Sequence, residues 1–511
     1  MSGALADSLD EACLRFADRV AVQDRHESLS YAELSGRAQA IAVDLSAASA
    51  APDEPVIVVV GNRAADFAAF LGIWRAGCVA VPSHCTAPQA VLEDLIVRTG
   101  ARFVVDGGAQ SISLPESATP CGRGAVRRLG RAAAPERDLL RGAAFVLFTS
   151  GSTGLPKGAV ISHRALCGKL AANDSYLGFG SDTRTLLALQ ITFSFGLWVS
   201  FLTLAKGGSL FTLERFDAAR ALESIASHGI ERVAFVPTML RAILALAAEE
   251  PDRLRTLREA CSLRLLMTGG EPLGAQLSGE ARALFSTARL VDIYGLTETA
   301  TSDFVLQGAD LDAYPGCIGR PAPGVEFRIV ALDGSQSAEG ETGELQIRTP
   351  YAMNGYLDAG ELTRAAFADG FFFRTGDLAR ERSAGIVELV GRSKEIISRG
   401  GSKVAPLEVE QILMQHPDVA QALVTGVPDR QLGERIHALI VARPGVPPTG
   451  EALRAWSIGR MEKYKLPDKW HFAAELPMGR TGKVDRGRLR ELIVAGAVEA
   501  AGPAGGGPAG G

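Results

Sequence analysis

The stretch that decides the fold of this chain is Phe148-Thr-Ser-Gly-Ser-Thr-Gly-Leu-Pro-Lys157-Gly158. An apolar run, Ala143 to Phe148, leads into it and predicts a buried strand, and a second apolar run, Ala159 to Ile161, follows it. The glycines let the backbone bend and approach a ligand closely, because they carry no Cβ. Four hydroxyl side chains stand beside the backbone N–H groups that such a bend leaves free, and Lys157 adds a positive charge. A concavity of this kind suits phosphate oxygens.

Two simpler interpretations of this stretch fit it less well. An ordinary surface turn rarely combines so many small hydroxyl residues with a closing Pro-Lys-Gly. A Walker P-loop needs Gly-Lys-Ser/Thr followed by a helix, whereas Pro156 precedes the lysine here and a strand is predicted to follow. The stretch Thr149–Gly158 instead resembles the phosphate-binding loop of adenylate-forming enzymes, the superfamily of acyl-CoA synthetases, peptide-synthetase adenylation domains and luciferases.

Composition is that of an ordinary globular protein. The 511 residues are enough for more than one domain, and 47% hydrophobic with 22% charged residues fits a soluble chain. A net charge of −5 does not indicate binding to nucleic acid or to an anionic membrane. The seven cysteines include no Cys-x-x-Cys pair, which predicts reduced thiols in the cytoplasm and neither a disulfide framework nor a zinc site. Neither a signal peptide nor a membrane span is expected.

Strand and helix signals alternate through the first half of the chain. Pro55 to Val60 is a continuous β-branched run of the kind found in central parallel strands, and similar runs recur as far as Arg289 to Ile293. Shorter alternating runs between Val325 and Val390 predict an antiparallel unit. Residues 109–136 predict a surface connection. Helix starts are predicted at three places, namely Ser30 (with Glu33 completing a capping box), Ser162 and Pro237.

The predicted fold class is α/β, with the chain divided into three parts. A large N-terminal domain of doubly wound sheets, with a small antiparallel β unit, is expected over 1–392. A smaller, mobile C-terminal α+β domain follows over 393–495, and the Gly/Pro/Ala tail 496–511 is expected to be disordered. Ligands of open α/β sheets bind at the carboxyl ends of strands, so motifs at those ends are the candidate site.

The motif Tyr294-Gly-Leu-Thr-Glu298 follows a predicted strand and brings an aromatic ring, a hydroxyl and a carboxylate to its carboxyl end. Carboxylate oxygen is the kind of ligand that Mg²⁺ prefers. By itself the pattern fits a turn with a buried tyrosine and a solvated glutamate equally well. It resembles the superfamily's Tyr-Gly-x-Thr-Glu motif without departure. The resemblance implies that Tyr294 stacks on the base, that Thr297 donates to a phosphate and that Glu298 holds Mg²⁺.

Two further motifs are ordinary turn signals by themselves. Thr268-Gly-Gly-Glu-Pro272 ends another predicted strand, and the resemblance implies that it forms the second wall of the adenine pocket. Asp377 follows a predicted tight turn, and a carboxylate can accept from both hydroxyls of a ribose. The resemblance implies that Asp377 binds the ribose and that Arg392 assists it.

The C-terminal part carries residues whose roles depend on the resemblance, since by themselves they are exposed lysines and a glycine turn. Lys394 stands where the superfamily has its hinge residue. Gly400 and Gly401 would leave room for a narrow pantetheine arm in the thiol channel. Lys483 occupies the position of the catalytic lysine, whose charge bridges the substrate carboxylate and the α-phosphate as pyrophosphate leaves.

The resemblance thus implies ATP as substrate, Mg²⁺ held by Glu298, and CoA as co-substrate. The implied catalytic residues are Lys157, Thr297, Glu298 and Lys483. The residues implied to bind ATP or AMP are Thr149, Ser150, Gly151, Ser152, Thr153, Gly154, Gly269, Gly270, Glu271, Pro272, Asp292, Tyr294, Gly295, Asp377 and Arg392.

The acid is expected to be apolar, aromatic or aliphatic. Amino-acid adenylation domains carry an Asp after a Ser-Phe pair to bind the α-ammonium, whereas Gly196 follows Ser194-Phe195 here, which argues against an α-amino acid. Many aryl and acyl ligases have a histidine in this region, and Ile191 to Trp198 contains none. An apolar wall for the acid is expected from side chains that are equally compatible with a core, namely Phe193, Phe195, Trp198 and Val236, with Gly196 beside them.

The expected activity is that of a free-standing acyl- or aryl-CoA ligase, in which the acid first forms an acyl-adenylate and then a thioester. One alternative is an enzyme that charges the phosphopantetheine of a separate carrier protein. Another is a nucleotide-binding protein without turnover, which retention of Lys157, Glu298 and Lys483 disfavours. A luciferase-like oxygenase shares the first step and stays open.

Overall fold

The computed structural model of the chain describes residues 5–107, 118–122, 125–132, 134–149, 156–250, 261–331, 333–383, 385–443, 445, 447–478 and 484–498. The chain forms two compact units. The larger unit comprises Met1–Phe327 and Gln346–Arg374, and the smaller unit comprises Arg328–Leu345 and Thr375–Gly511. The sequence-based boundary after residue 392 stays a prediction, as does disorder of the tail, of which 499–511 lie outside the described residues.

The helices and strands are numbered in chain order. The described α-helices are α1 (Leu5–Arg15), α2 (Tyr31–Ala47), α3 (Ala64–Arg75), α4 (Gln89–Thr99), α5 (His163–Leu177), α6 (Ser194–Ala205), α7 (Ala218–Ser227), α8 (Pro237–Glu249), α9 (Ala275–Leu284), α10 (Ala309–Ala313), α11 (Gly360–Ala366), α12 (Pro406–Leu413), α13 (Gly450–Ser457) and α14 (Arg486–Val494). The described strands are β1 (Val20–Gln23), β2 (Ser28–Ser30), β3 (Pro55–Val60), β4 (Val79–His84), β5 (Phe103–Asp106), β6 (Thr119–Cys121), β7 (Val126–Arg128), β8 (Ala143–Thr149), β9 (Lys157–Ser162), β10 (Arg184–Leu187), β11 (Ser209–Thr212), β12 (Arg232–Phe235), β13 (Leu265–Gly269), β14 (Arg289–Tyr294), β15 (Phe304–Gln307), β16 (Arg320–Pro321), β17 (Glu326–Val330), β18 (Gly343–Arg348), β19 (Gly355–Tyr356), β20 (Phe367–Ala368), β21 (Phe372–Ser383), β22 (Ile386–Arg392), β23 (Ile397–Arg399), β24 (Ser402–Val404), β25 (Val419–Asp429), β26 (Gly433–Ala442) and β27 (Lys469–Phe472).

The predicted helix starts are confirmed. The Ser30 side chain accepts from the backbone N–H of Glu33, and the Glu33 carboxylate accepts from the Ser30 N–H, so the capping box at the start of α2 is complete. Ser162 caps α5 in the same way, through the N–H of Ala165. Pro237 is the first residue of α8, where its missing N–H breaks no helical hydrogen bond.

Two sheets dominate the larger unit. The first sheet has the strand order β16-β15-β14-β13-β12-β10-β11-β1-β2, and its central strands from β14 to β1 run parallel. The second sheet has the order β19-β9-β8-β4-β3-β5-β7-β6, with β8, β4, β3 and β5 parallel. Every residue of β3 is buried, as expected for a strand covered on both faces.

The prediction of a plain surface connection over 109–136 is wrong where β6 and β7 lie. β7 pairs antiparallel with β5, and β6 pairs with β7, so the two strands extend the edge of the second sheet. Both strands have three residues, and most of their side chains are exposed or half-buried. Edge strands this short and polar carry no alternating apolar signal, which is why the sequence did not indicate them.

The remaining sheets are smaller. An antiparallel sheet has the order β17-β18-β21-β20 with β22 beside β21, and strands β17, β18 and β21 each begin in one unit and end in the other. The smaller unit has a sheet of order β24-β23-β26-β25 with β27 parallel to β26. The apolar faces of these strands pack on α12 and α13 around a core that includes Val409, Ile436 and Leu453.

The architecture confirms the predicted α/β class, with a large sheet-based N-terminal part and a smaller C-terminal part. In the part of the chain that the structure describes, no helix combines the length and the apolar character that crossing a membrane requires.

Candidate functional site

The candidate motifs of the larger unit meet at the carboxyl edge of the first sheet. Strands β12, β13 and β14 are parallel neighbours, and their register pairs Phe235 with Thr268 and Gly269 with Ile293. The segments that leave these strands begin at Val236, Gly270 and Gly295. Parallel strands end on the same side of a sheet, so residues predicted separately for the acid pocket and the adenine pocket are brought together.

The glycines at this edge are required by close backbone approach. A Cβ at Gly269 would lie 2.3 Å from the carbonyl oxygen of Ile293, and one at Gly295 would lie 2.2 Å from the backbone nitrogen of Ser302. The neighbouring hydroxyl of Thr268 is buried and has no hydrogen-bond partner among the described residues. An orphaned buried hydroxyl at a strand end leaves a polar group available to a ligand.

A buried ion pair holds the segment from Tyr294 to Asp303, here called the acidic loop. Lys169 on α5 places its Nζ 3.0 Å from Oδ1 of Asp303, and both side chains are fully buried. Oδ2 of Asp303 accepts from the hydroxyl of Thr299 and from the N–H of Leu296, the latter at 3.3 Å. The N–H of Asp303 donates to the carbonyl of Tyr294 at 2.7 Å. The side chain and the backbone of Asp303 together close the acidic loop and tie it to α5.

The acidic loop is also strained. Three successive residues other than glycine have left-handed backbone conformations, with φ of 56° at Ala300, 64° at Thr301 and 57° at Ser302. Such conformations cost roughly 1–2 kcal/mol per residue for side chains with a Cβ, so they persist only where surrounding contacts determine them. The bonds of Asp303 supply those contacts.

Glu298 in the acidic loop is held by hydroxyl groups. Tyr356 donates its hydroxyl to Oε1 of Glu298 at 2.9 Å, and Thr149 approaches the same oxygen at 3.4 Å. The backbone of Glu298 is held as well, because its carbonyl accepts from the N–H of Met353 at 2.7 Å. The neighbouring Thr297 hydroxyl lies 3.2 Å from the hydroxyl of Ser194.

The two ends of the phosphate-loop stretch lie beside Glu298. Thr149 ends β8 and Lys157 begins β9, and these two residues pair in the antiparallel ladder. The Lys157 Nζ lies 5.2 Å from the centroid of the Tyr356 ring, in cation–π geometry. The predicted residues between them, Ser150, Gly151, Ser152, Thr153 and Gly154, lie outside the described residues.

Asp292 and Glu271 line the same edge. Burial raises the pKa of the Asp292 carboxyl on β14 to about 7, although a hydrogen bond from the Ile293 backbone acts in the opposite direction. Glu271 and Pro272 follow β13, and the Glu271 carboxylate acts electrostatically on Arg241 of α8, whose pKa is lowered by burial. Arg241 carried no signal in the sequence.

The segment Ile191–Trp198 joins this edge through Ser194 and Phe195. Phe195 stacks on the buried Trp198 with ring centroids 5.6 Å apart, and a Cβ at Gly269 would lie 3.5 Å from the Phe195 ring. A Cβ at Gly196 would lie 2.5 Å from the carbonyl oxygen of Gln190, so position 196 has no room for a side chain. Phe193 precedes α6 and is 37% exposed, which makes it the least enclosed of the predicted acid-pocket aromatics.

In the smaller unit, the structure brings Asp377 and Arg392 together. The two residues pair between β21 and β22, and the Nε of Arg392 lies 2.9 Å from Oδ1 of Asp377. The Asp377 N–H donates to the Thr375 hydroxyl at 3.0 Å. The prediction of a tight turn before Asp377 is wrong, because this segment continues strand β21 and only the positive φ of 73° at Gly376 departs from extended backbone. Asp377 is almost fully buried, whereas Arg392 is 62% exposed at its side chain.

The other predicted residues of the smaller unit are surface features. Lys394 is exposed in the short turn Ser393–Glu395. Gly400 and Gly401 form the tip of the β23–β24 hairpin with φ of 55° and 84°. This left-handed conformation favours glycine by itself, with or without a thiol channel beside the hairpin. Lys483 lies outside the described residues. The roles of hinge, thiol channel and catalytic lysine stay predictions.

The oxygen-rich acidic loop fits ATP with Mg²⁺. In the described parts of the chain, no group of three or more His, Cys, Asp or Glu is arranged to hold a metal ion by itself. Mg²⁺ typically takes one or two protein carboxylates and completes its shell with substrate phosphates and water. Glu298, fixed by hydroxyl donors beside Lys157, is a carboxylate of that kind.

Comparison with known proteins agrees with this geometry. Residues 9–357 match the family described as AMP-binding enzyme, and residues 408–483 match the AMP-binding enzyme C-terminal domain. The chain belongs to the AMP-binding enzyme family. The family confirms the predicted resemblance to adenylate-forming enzymes, and the chain is an enzyme of the acid-activating ligase type.

Relatives of known activity align along nearly the whole chain. The chain is 32% identical over 482 residues to feruloyl-CoA synthase from Amycolatopsis sp, covering 92% of this chain and 95% of that protein. It is 28% identical over 502 residues to the fatty acid–[acyl-carrier-protein] ligase ScoC of Streptomyces coeruleorubidus, covering 91% of each. The structure is similar to ATP-bound MatB from Rhodopseudomonas palustris, with a TM-score of 0.83, 26% identity, and 96% and 99% of the two chains covered.

Several residues that build the site were missed by the sequence analysis. Lys169, Asp303 and Tyr356 act through contacts with residues far away in the chain, and each occurs in a stretch without a recognisable spacing pattern. Asp303 directly precedes the apolar run Phe304-Val-Leu306, which the sequence analysis did not identify as a strand.

The close contact at Gly295 predicts a steric effect of substitution. Gly295→Ala should lower the free energy of unfolding of the larger unit by about 1–3 kcal/mol, the usual cost of overpacking, because its Cβ meets backbone rather than a movable side chain. Urea unfolding measures this. The matched control is Gly279→Ala on the exposed side of α9, where nothing lies within 4 Å, and which should be neutral or stabilising. Equal midpoints for the two variants would contradict the described loop packing.

The raised pKa of Asp292 predicts a pH dependence of stability. Its folded-state pKa lies above the ordinary value of about 4, so between about pH 4 and 7 the folded chain holds a proton that the unfolded chain has released. Stability therefore falls as the pH rises through this window. The side chain of Asp292→Asn cannot ionise. Between pH 5 and pH 8 the free energy of unfolding should therefore fall less in this variant than in the wild type, and the two losses should differ by more than about 1 kcal/mol. Parallel urea-midpoint profiles would show the prediction to be wrong.

Proposed function

We propose that this enzyme activates an apolar carboxylic acid with MgATP to an acyl-adenylate, releasing pyrophosphate, and then transfers the acyl group to the thiol of CoA. The observation that carries the proposal is the fixed arrangement of Glu298 and Lys157 around the Tyr356 side chain, at the carboxyl edge of the first sheet. This arrangement supplies an oxygen ligand for a divalent cation and a positive charge for phosphate within one site.

Activation is needed because a carboxylate is a poor acyl donor, oxide being a bad leaving group. Attack of the carboxylate oxygen on the α-phosphorus forms an acyl–phosphate bond and breaks the bond to pyrophosphate. AMP then leaves readily when a thiolate attacks the acyl carbon. No nucleophilic side chain of the protein is required.

Charged residues that the sequence analysis singled out have proposed roles in this reaction. Thr149, Lys157 and the residues between them hold the β- and γ-phosphates, and Thr297 donates to a phosphate oxygen. Glu298 holds Mg²⁺, which neutralises phosphate charge when it is bound. Lys483 stabilises the charge that develops as pyrophosphate leaves. In the smaller unit, Asp377 binds the ribose, with Arg392 beside it.

An apolar acid is supported by the segment at α6. Position 196 cannot carry a counter-ion for an α-ammonium group, because the Gln190 carbonyl fills the space that a side chain would need. Phe195 and Trp198 present a stacked aromatic pair next to Gly269. The chain is similar to feruloyl-CoA synthase over nearly its full length, which favours an aromatic acid as the substrate over an aliphatic one.

CoA is the proposed acceptor, and a carrier protein is the second candidate. The higher identity to a CoA-forming relative favours CoA, whereas similarity to an acyl-carrier-protein ligase keeps the alternative open. The thiol of CoA and that of a phosphopantetheinyl carrier have the same chemistry, so the adenylation site does not distinguish them.

The proposed reaction predicts acid-dependent exchange of pyrophosphate into ATP. Cinnamic, indolic and medium-chain aliphatic acids should support exchange, and α-amino acids should not, because position 196 lacks a counter-ion. CoA consumption followed in parallel identifies the acceptor. Exchange with CoA loss supports the ligase, and exchange without CoA loss points to a carrier protein. No exchange with any acid would refute the proposed catalysis, and oxygen uptake would reveal an oxygenase.

The charge assigned to Lys483 predicts a separation of the two half-reactions. Lys483→Ala should lower adenylation at least about 100-fold, as loss of an electrostatic transition-state contact does, while CoA transfer from a supplied acyl-adenylate stays near the wild-type rate. Single-turnover assays measure each step. Lys469→Ala, at an exposed lysine that begins β27, is the control and should leave both steps unchanged. An equal loss in both steps would contradict the assignment.

A further inference from the structure

Tyr356 lies at the centre of the site, although the sequence analysis assigned it no role. It is 5% exposed, and its two functional parts contact two different groups. The hydroxyl donates to Oε1 of Glu298 at 2.9 Å, and the ring lies 5.2 Å below the ammonium of Lys157. The proposed function gives a cation to Glu298 and phosphate to Lys157, so one side chain contacts both halves of the MgATP site.

The backbone around Tyr356 is fixed on the strand that carries Lys157. Tyr356 pairs with Ala159 between β19 and β9, and the N–H of Leu357 donates to the Gly158 carbonyl at 2.8 Å. The Tyr356 N–H donates to the hydroxyl of Thr363 at 2.9 Å. A side chain anchored this closely to β9 is placed in a constant position relative to Lys157.

The same segment also fixes Glu298 from two sides. The Met353 N–H holds the Glu298 carbonyl, while Tyr356 holds its carboxylate. The hydroxyls of Tyr356 and Thr149 both donate to Oε1 of Glu298. These two hydrogen bonds fix the orientation of the carboxylate and do not involve its second oxygen. A tyrosine hydroxyl ordinarily titrates at about pH 10, so that of Tyr356 is protonated at neutral pH and can donate its hydrogen bond to Glu298.

We infer that Tyr356 is a positioning residue for the MgATP site, with its hydroxyl orienting Glu298 toward the divalent cation and its ring holding the Lys157 ammonium toward the phosphates. The inference rests on the proposed function. It goes further by assigning to Tyr356 the coupling between metal binding and phosphate binding. A role in packing alone is the competing explanation, since Tyr356 is buried.

Removal of the hydroxyl alone distinguishes these explanations. Tyr356→Phe keeps the ring and should raise the dissociation constant of Mn²⁺, used as a probe for Mg²⁺, about 10-fold or more, because loss of a group that orients a metal ligand typically costs 10–100-fold in affinity. Electron paramagnetic resonance of free Mn²⁺, with α,β-methylene-ATP bound to the full chain, measures this without turnover. The Mg²⁺ concentration for half-maximal exchange should rise similarly, and kcat should recover at saturating Mg²⁺.

The ring has a separate test. Tyr356→Leu should, in addition, weaken binding of α,β-methylene-ATP in the presence of EDTA by about 2- to 10-fold, the range of an exposed to partly desolvated cation–π contact. Tyr356→Phe should bind the nucleotide in EDTA as the wild type does. Loss of nucleotide binding in both variants under these conditions would overturn the division of roles.

Tyr31→Phe is the matched control for a lost buried hydroxyl. Tyr31 is fully buried and donates to the carbonyls of Leu204 and Gly208 at 2.9 and 2.7 Å. This variant should lower the thermal midpoint without changing the Mn²⁺ affinity. Equal Mn²⁺ affinities for Tyr356→Phe and the wild type, or equal effects in the two Tyr→Phe variants, would overturn the inference. A different outcome separates the two proposals. If the wild type shows no pyrophosphate exchange but Tyr356→Phe still binds Mn²⁺ more weakly than the wild type does, the proposed function is refuted and the inference stands.

Discussion

The buried pair of Lys169 and Asp303 is the interaction on which the site depends. Both groups are removed from water, and either charge left alone would be far more costly than the pair, so the two side chains are obliged to meet. Asp303 then uses its second oxygen and its backbone N–H to close the acidic loop. Left-handed conformations at three successive residues become tolerable because this closure allows no relaxed alternative.

From this anchor, the site extends through hydroxyl and backbone contacts to the second sheet. Thr149 and Lys157 belong to β8 and β9, and Tyr356 belongs to β19 beside them. Each contacts Glu298 or its partner across the boundary between the two sheets of the larger unit. Thr149, Lys157 and Glu298 are half-buried where the two sheets meet, so their electrostatic interactions are stronger than on an open surface and weaker than in a dry interior.

Much of the fold followed from local patterns. The continuous β-branched run at Pro55–Val60 is a buried parallel strand, and the capping box at Ser30 forms as its spacing indicates. These features depend on neighbours within a few residues, so they could be predicted. The short edge strands β6 and β7 could not, because β7 pairs with β5 about 20 positions away, β6 pairs only with β7, and most of their side chains are exposed or half-buried.

The sequence by itself determined the family and the order of the motifs, because the phosphate-loop stretch, the Tyr-Gly-Leu-Thr-Glu motif and the strand runs are each contiguous. It also placed these motifs at strand ends. Only the tertiary structure decided which groups touch. Tyr356 reaches Glu298 across 58 positions and Lys169 reaches Asp303 across 134 positions, and no local spacing encodes such pairs. The close approach at Gly269 likewise depends on the backbone of Ile293 in the neighbouring strand, so the reason for this glycine emerges only when the sheet is assembled. Gly196 and Gly295 instead meet backbone of Gln190 and Ser302, a few residues away, where the folded path of the local segment creates the contact.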